Sequence, residues 1–151
     1  MNALQDRISV HIPRMEGWCT IPKAHRLAAA VCELRNEISV ELGIFAGRGL
    51  ISLPMAHQAI GTGLAWGFDP WTTSAALEGV NDDLNNEWWK KVDMEGIYKG
   101  FVKLVIVHEL LTHCYWSRLK SSRAVTLFDD QSIGVIHADS NHSEQVTCEE
   151  V

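Results

Sequence analysis

The chain has 151 residues, of which 46% are hydrophobic and 21% charged, with 19 acidic against 13 basic residues for a formal net charge of −6. Such a composition excludes disorder and collagen-like or mucin-like structure, and at this length about two-thirds of the unfolded surface can be buried in one soluble domain. An acidic chain without a Lys/Arg stripe excludes phosphate-backbone binding as the main activity, so nucleic acid is not an expected partner.

No apolar run approaches the roughly 20 residues of a membrane helix, and the start MNALQDRISVHIPRMEGW lacks the layout of a secretory signal. The protein therefore reads as cytoplasmic, with no membrane partner. Cys19, Cys32, Cys114 and Cys148 make no CxxC pair and read as reduced packing thiols.

The first dozen residues are weakly patterned. From Thr20 the spacing predicts a helix, with Pro22 in its first turn and Leu27, Val31 and Leu34 on one apolar stripe. Residues 38–44, ISVELGI, form a short apolar run that predicts a buried parallel strand. After Gly47-Arg48-Gly49 a second helical pattern runs to about Ile60, tolerating Pro54 only near the first turn, and Gly61-Thr62-Gly63 stops it. Residues 64–68 predict a second strand running into Asp69-Pro70-Trp71, and the polar stretch 78–86 is linker-like. Trp88, Trp89 and Val92, then Ile97, Phe101, Leu104 and Val105, keep helical spacing with a break expected at Gly96. Residues 113–118 predict a third strand, 121–128 a short helix and 133–139 a fourth strand.

The alternation of continuously apolar strands with helices predicts a doubly wound α/β fold, a parallel sheet with helices on both faces. Ligands of such sheets sit at the carboxyl ends of the strands.

After the first strand stands Glu41-Leu42-Gly43-Ile44-Phe45-Ala46-Gly47-Arg48-Gly49, whose glycines permit a sharp turn and a close approach of backbone to ligand. The plain alternative is a turn that only joins strand to helix. Ser52 replaces the third Gly or Ala of the dinucleotide fingerprint, which disfavours a nicotinamide-dependent oxidoreductase, and no Walker A loop is present. Asp69 follows the second strand, where a carboxylate can accept both hydroxyls of a ribose, or simply cap a loop with Pro70. Ser121 and Ser122 follow the third strand, near an adenine edge or as a helix cap. The fourth strand delivers Asp139-Ser140-Asn141-His142, a carboxylate able to hold a divalent cation beside an imidazole able to take a substrate proton.

Two patterns are decoys. His108 and His113 stand at i and i+5, about 140° apart on a helix, and cannot clamp one zinc as an HExxH pair does. The acidic run from Asn81 to Glu87 has no glycine at the sharp turn of a calcium loop. Of the tryptophans, Trp88 and Trp89 read as core or lid residues, and Trp66 and Trp71 flank the end of the second strand.

With these residues in hand, the chain resembles the class I S-adenosylmethionine-dependent methyltransferases, in the branch of macrolide sugar O-methyltransferases and cephalosporin hydroxylase-like proteins. The matching segments are EGWCTIPKA, VELGIFAGRGL, GLAWGFDPW, EWWKKVD and IGVIHADSNHSEQV, in that order from Glu16 onward. The resemblance implies a Rossmann-like fold with strand order 3-2-1-4, an N-terminal extension over residues 1–15 and a cofactor domain over 16–151. It implies methyl transfer to a hydroxyl of a small molecule or sugar. Glu41, Gly43 and Gly47 would line the methionine side of S-adenosylmethionine, with Phe45 and Arg48 of the same turn. Asp69, beside Trp71, would bind the ribose, and Ser121 or Ser122 would meet the adenine. Asp139 would border the cofactor and hold magnesium, and His142 would be the general base.

Family members continue through a helix and further strands that supply the remaining metal ligands, whereas this sequence stops at Val151. Glu149-Glu150 does not take over that role. The fourth strand is thereby expected at an exposed sheet edge, where self-association into a homo-oligomer is expected. The competing reading from another class is a non-catalytic nucleotide-binding or interaction module that keeps only the cofactor half.

Overall fold

The computed structural model describes residues 2–35, 37–141, 143, 146 and 148. The weakly patterned start is a helix, α1 (Asn2–His11), followed by a short 3-10 turn. Ile8 and Ile12 are fully buried there, against α2 (Ile21–Leu34) and α3 (Ser52–Ile60). Thr20 caps α2 by accepting the Lys23 N–H at 3.3 Å. The buried stripe of α2 is Ala24, Ala28 and Val31, and Leu34, expected on that stripe, is 61% exposed. Small residues at the contact let α2 lie close to α3, so the stripe follows the alanines rather than the leucines.

The strands are β1 (Ile38–Leu42), β2 (Leu64–Phe68), β3 (Cys114–Ser117) and β4 (Val135–Ala138). They form one all-parallel sheet in the order β3-β2-β1-β4, a Rossmann-like α/β arrangement as the sequence predicts. β1 sits inside because the chain steps outward through β2 to β3 and then returns to pair β4 on the other side of β1.

The register divides the sheet into two faces. Ser39, Glu41, Ala65, Gly67, Cys114, Trp116, Val135 and His137 share one face, and Val40, Leu42, Trp66, Phe68, Tyr115 and Ile136 the other. The first packs into the large core with α1, α2, α3 and α6 (Met94–Val107), through residues such as Val31, Leu53, Phe101 and Val105. The second is covered by α7 (Ser121–Ala124) and the turn after it, with Ala124 and Phe128 over Val40, Leu42 and Phe68. At the β4 edge Ile136 remains 56% exposed.

Two further helices lie between β2 and α6: α4 (Thr73–Ala76) and α5 (Asp83–Trp89). The polar stretch is thus partly helical, because Asp82 caps α5 by accepting the Asn85 N–H at 2.9 Å. The helix break falls before Met94 rather than at Gly96. Asp93 caps α6 by accepting the Gly96 N–H at 2.9 Å, which makes Gly96 a first-turn residue. Pro54 is the third residue of α3, where its missing N–H leaves no helical bond unmade. Among the described residues no helix is long and apolar enough to cross a membrane.

Candidate functional site

A cavity of about 340 Å³ opens at the carboxyl ends of the strands. The loop leaving each strand contributes to its wall: Gly43, Ile44 and Phe45 after β1, Asp69 and Pro70 after β2, Lys120, Ser121 and Ser122 after β3, Asp139, Ser140 and Asn141 after β4. Glu41 and Arg48 also line it. Gly47 and Trp71 are not among the lining residues. Trp66 lies on the opposite sheet face, against Phe128.

Asp69 is the hinge of this wall. Its Oδ2 accepts the N–H groups of Ile44 at 3.0 Å and Phe45 at 2.8 Å, and its Oδ1 accepts the N–H of Trp71 at 2.7 Å. Phe45 and Trp71 both adopt left-handed backbone, at φ 50° and 47°, and the Trp71 indole N–H donates to the Phe45 carbonyl at 2.8 Å. One carboxylate therefore holds two strained residues in place and ties the first loop to the second. Burial pushes the Asp69 carboxyl above its ordinary pKa, against the lowering pull of these backbone bonds. Three of about four acceptor positions are taken, which leaves one for a ligand hydroxyl.

The glycines serve close approach of the chain to itself. Gly43 has φ 85°, and a Cβ there would stand 2.4 Å from the Asp139 carbonyl oxygen, so glycine lets the β1 and β4 loops touch. A Cβ on Gly47 would strike the Phe101 ring at 2.6 Å, which directs this residue toward α6 rather than a ligand. Trp71 is likewise structural: it is buried and stacks on Phe101 at 5.5 Å. Arg48 donates to the carbonyls of Met15 at 3.2 Å and Gly17 at 2.7 Å, fastening the segment before α2 to the glycine turn.

Glu41 lines the cavity, and His137, its cross-strand neighbour on β4, lies behind it and is not a lining residue. His137 Nδ1 is 3.1 Å from Glu41 Oε2, and its buried Nε2 has no hydrogen-bond partner among the described residues and lies 4.0 Å from Asp139 Oδ2. Burial raises the Glu41 carboxyl to about 7, with the His137 bond opposing the rise. The Lys23 ammonium stands 3.4 Å from Asp139 Oδ1. Cys19 also faces the cavity, its thiol pushed by burial up to about 11, which keeps it protonated and unreactive.

Sequence reasoning missed Lys120, Glu78 and Asn141. Lys120 Nζ reaches both Glu78 oxygens at 2.8 and 2.9 Å, a bridge across the cavity wall. The Asn141 amide donates to the carbonyls of Ala76 at 3.0 Å and Glu78 at 2.8 Å, locking the end of α4 to the β4 loop. Asn141 is legible as a strand-end residue, but its partners lie more than sixty positions away.

His142 and Glu149-Glu150 lie outside the described residues. Among the described residues no three Asp, Glu, His or Cys side chains gather as metal ligands, and a lysine ammonium already pairs with Asp139. His108 ends α6 and meets the His11 ring at 4.1 Å, whereas His113 Nδ1 lies 2.9 Å from the Gly63 carbonyl, so the two imidazoles are engaged with different partners. Sequence comparison matches the chain to no family model and to no curated protein.

Proposed function

We infer that this chain binds S-adenosylmethionine and transfers its methyl group to a hydroxyl of a small molecule. The observation that carries this reading is a cavity at the carboxyl ends of the strands whose wall holds the turn after β1 and the Asp69 carboxylate after β2. That is where doubly wound sheets take nucleotide ligands, and the volume falls at the lower end of small-molecule pockets.

Glu41, Gly43, Phe45 and Arg48 hold the methionine end in this reading. Asp69 offers its remaining acceptor position to a ribose hydroxyl, and Ser121 and Ser122 border the adenine. The bound cofactor supplies an electrophilic methyl on a sulfonium. The chain's part is to place an acceptor oxygen in line with the carbon–sulfur bond and to receive the hydroxyl proton, a role the resemblance gives to His142. Asp139, paired with Lys23, is a wall residue near that acceptor.

Calorimetric titration with S-adenosylmethionine, with NAD as the control ligand, tests the assignment. S-adenosylmethionine is expected to saturate one site while NAD does not. Absence of S-adenosylmethionine binding at about 1 mM would overturn it. Binding without turnover over a panel of hydroxyl acceptors would favour a non-catalytic module instead.

A further inference from the structure

Four aromatic rings from three separate segments meet at the cavity mouth. Trp18 comes from before α2, Phe45 from the turn after β1, and Trp88 and Trp89 from the end of α5. Ring centroids lie 5.6 Å apart for Trp18 and Phe45, 5.4 Å for Trp18 and Trp88, 5.6 Å for Phe45 and Trp89, and 4.7 Å for Trp88 and Trp89. Trp18, Phe45 and Trp89 line the cavity, yet Trp18 is 68% and Trp88 42% exposed. A clustered aromatic surface left in water at the rim of a pocket marks a binding surface. Phe45 is held there in strained left-handed backbone by Asp69 and Trp71, so the loop itself presents the ring.

The charge of the wall narrows the ligand. Glu16, Glu41, Asp69, Glu78 and Asp139 face Arg48 and Lys120. Glu78 pairs with Lys120, Asp139 with Lys23 and Glu41 with His137, while the Arg48 guanidinium donates to two backbone carbonyls. Outside these pairs Glu16 and Asp69 remain against Arg48, so the wall keeps a small negative excess, and tryptophan faces attract cations.

We propose that the Trp18–Phe45–Trp88–Trp89 mouth is a subsite for a flat ring that carries an ammonium group beside its hydroxyl. The proposal rests on the methyl-transfer reading only in making this ring the acceptor.

The probes are tyramine and 4-hydroxyphenylacetate, which share a phenol ring and differ in the sign of their charge. Saturation-transfer NMR and tryptophan quenching are measured on the full chain. Tyramine is expected to bind at least about tenfold more tightly than the anion. Trp18→Ala, at an exposed position, and Trp89→Ala each weaken tyramine by about 3- to 5-fold, Trp18→Phe retains most of the binding, and Glu16→Gln narrows the preference over the anion. Equal binding of the two probes, no tyramine binding at about 10 mM, or indifference to Trp18 would overturn the proposal. Calorimetry with S-adenosylmethionine on the same sample separates the two claims: tyramine binding without cofactor binding defeats the methyl-transfer reading alone, and the reverse defeats the subsite alone.

Discussion

Glu41 and His137 face each other in register across β1 and β4, with His137 Nδ1 3.1 Å from Glu41 Oε2 beneath the cavity. Both side chains are buried, and the pair joins the interior strand β1 to the edge strand β4, which leads into Asp139.

This pair makes stability depend on pH. The Glu41 carboxyl titrates near 7 in the folded chain against an ordinary value of 4.5, so between those values the folded state holds a proton that the unfolded state has lost. Stability from this group is therefore full below pH 4.5 and declines as pH rises to 7. Glu41→Gln, neutral at every pH, is expected to remove that decline. Urea unfolding across the range, wild type against variant, checks it; parallel curves would contradict the assignment.

Asp69→Ala leaves three backbone N–H groups without their acceptor and releases Phe45 and Trp71 from left-handed backbone. Each orphaned donor costs about 1–3 kcal/mol, offset in part by relief of strain and entry of water. The expected outcome is a loss of a few kcal/mol in thermal or urea unfolding, together with at least about a tenfold loss in cofactor affinity. Unchanged stability would show that the loops hold without the carboxylate.

Gly43→Ala is expected to be far more damaging than Gly61→Ala. Both have positive φ, but a Cβ at Gly43 meets the Asp139 backbone at 2.4 Å, and one at Gly61 meets nothing within 4 Å. The Gly61 variant costs about 1 kcal/mol of left-handed strain. Differential scanning calorimetry compares them, and equal melting temperatures would contradict the loop contact.

Much of the fold is legible from residues alone. Residues 38–42 and 64–68 are short, apolar and bounded by turn residues, which marks them as buried strands, whereas the order β3-β2-β1-β4 is what the resemblance implies and not what the residue pattern shows. Glu41, Asp69, Ser121 and Asp139 stand at or just after a strand end, which is enough to place them at the site. What pattern does not show is what each side chain is occupied with. Asp69 reads equally as a ribose ligand or a loop cap until its three N–H partners are seen, and Gly47 and Trp71 look like ligand contacts until Phe101 is found against them. The buried stripe of α2 follows Ala24 and Ala28, since packing against α3 rewards small size over hydrophobicity. Nor does sequence separation reveal that Trp18, Phe45 and Trp88-Trp89 converge.

The most direct test is a two-dimensional amide NMR titration with S-adenosylhomocysteine, the demethylated product. The account predicts saturable shifts concentrated on Gly43, Ile44, Phe45, Asp69, Ser121 and Ser122, with Tyr115 and Ile136 on the opposite sheet face unmoved. Shifts centred on that opposite face, or none at about 1 mM ligand, would contradict it.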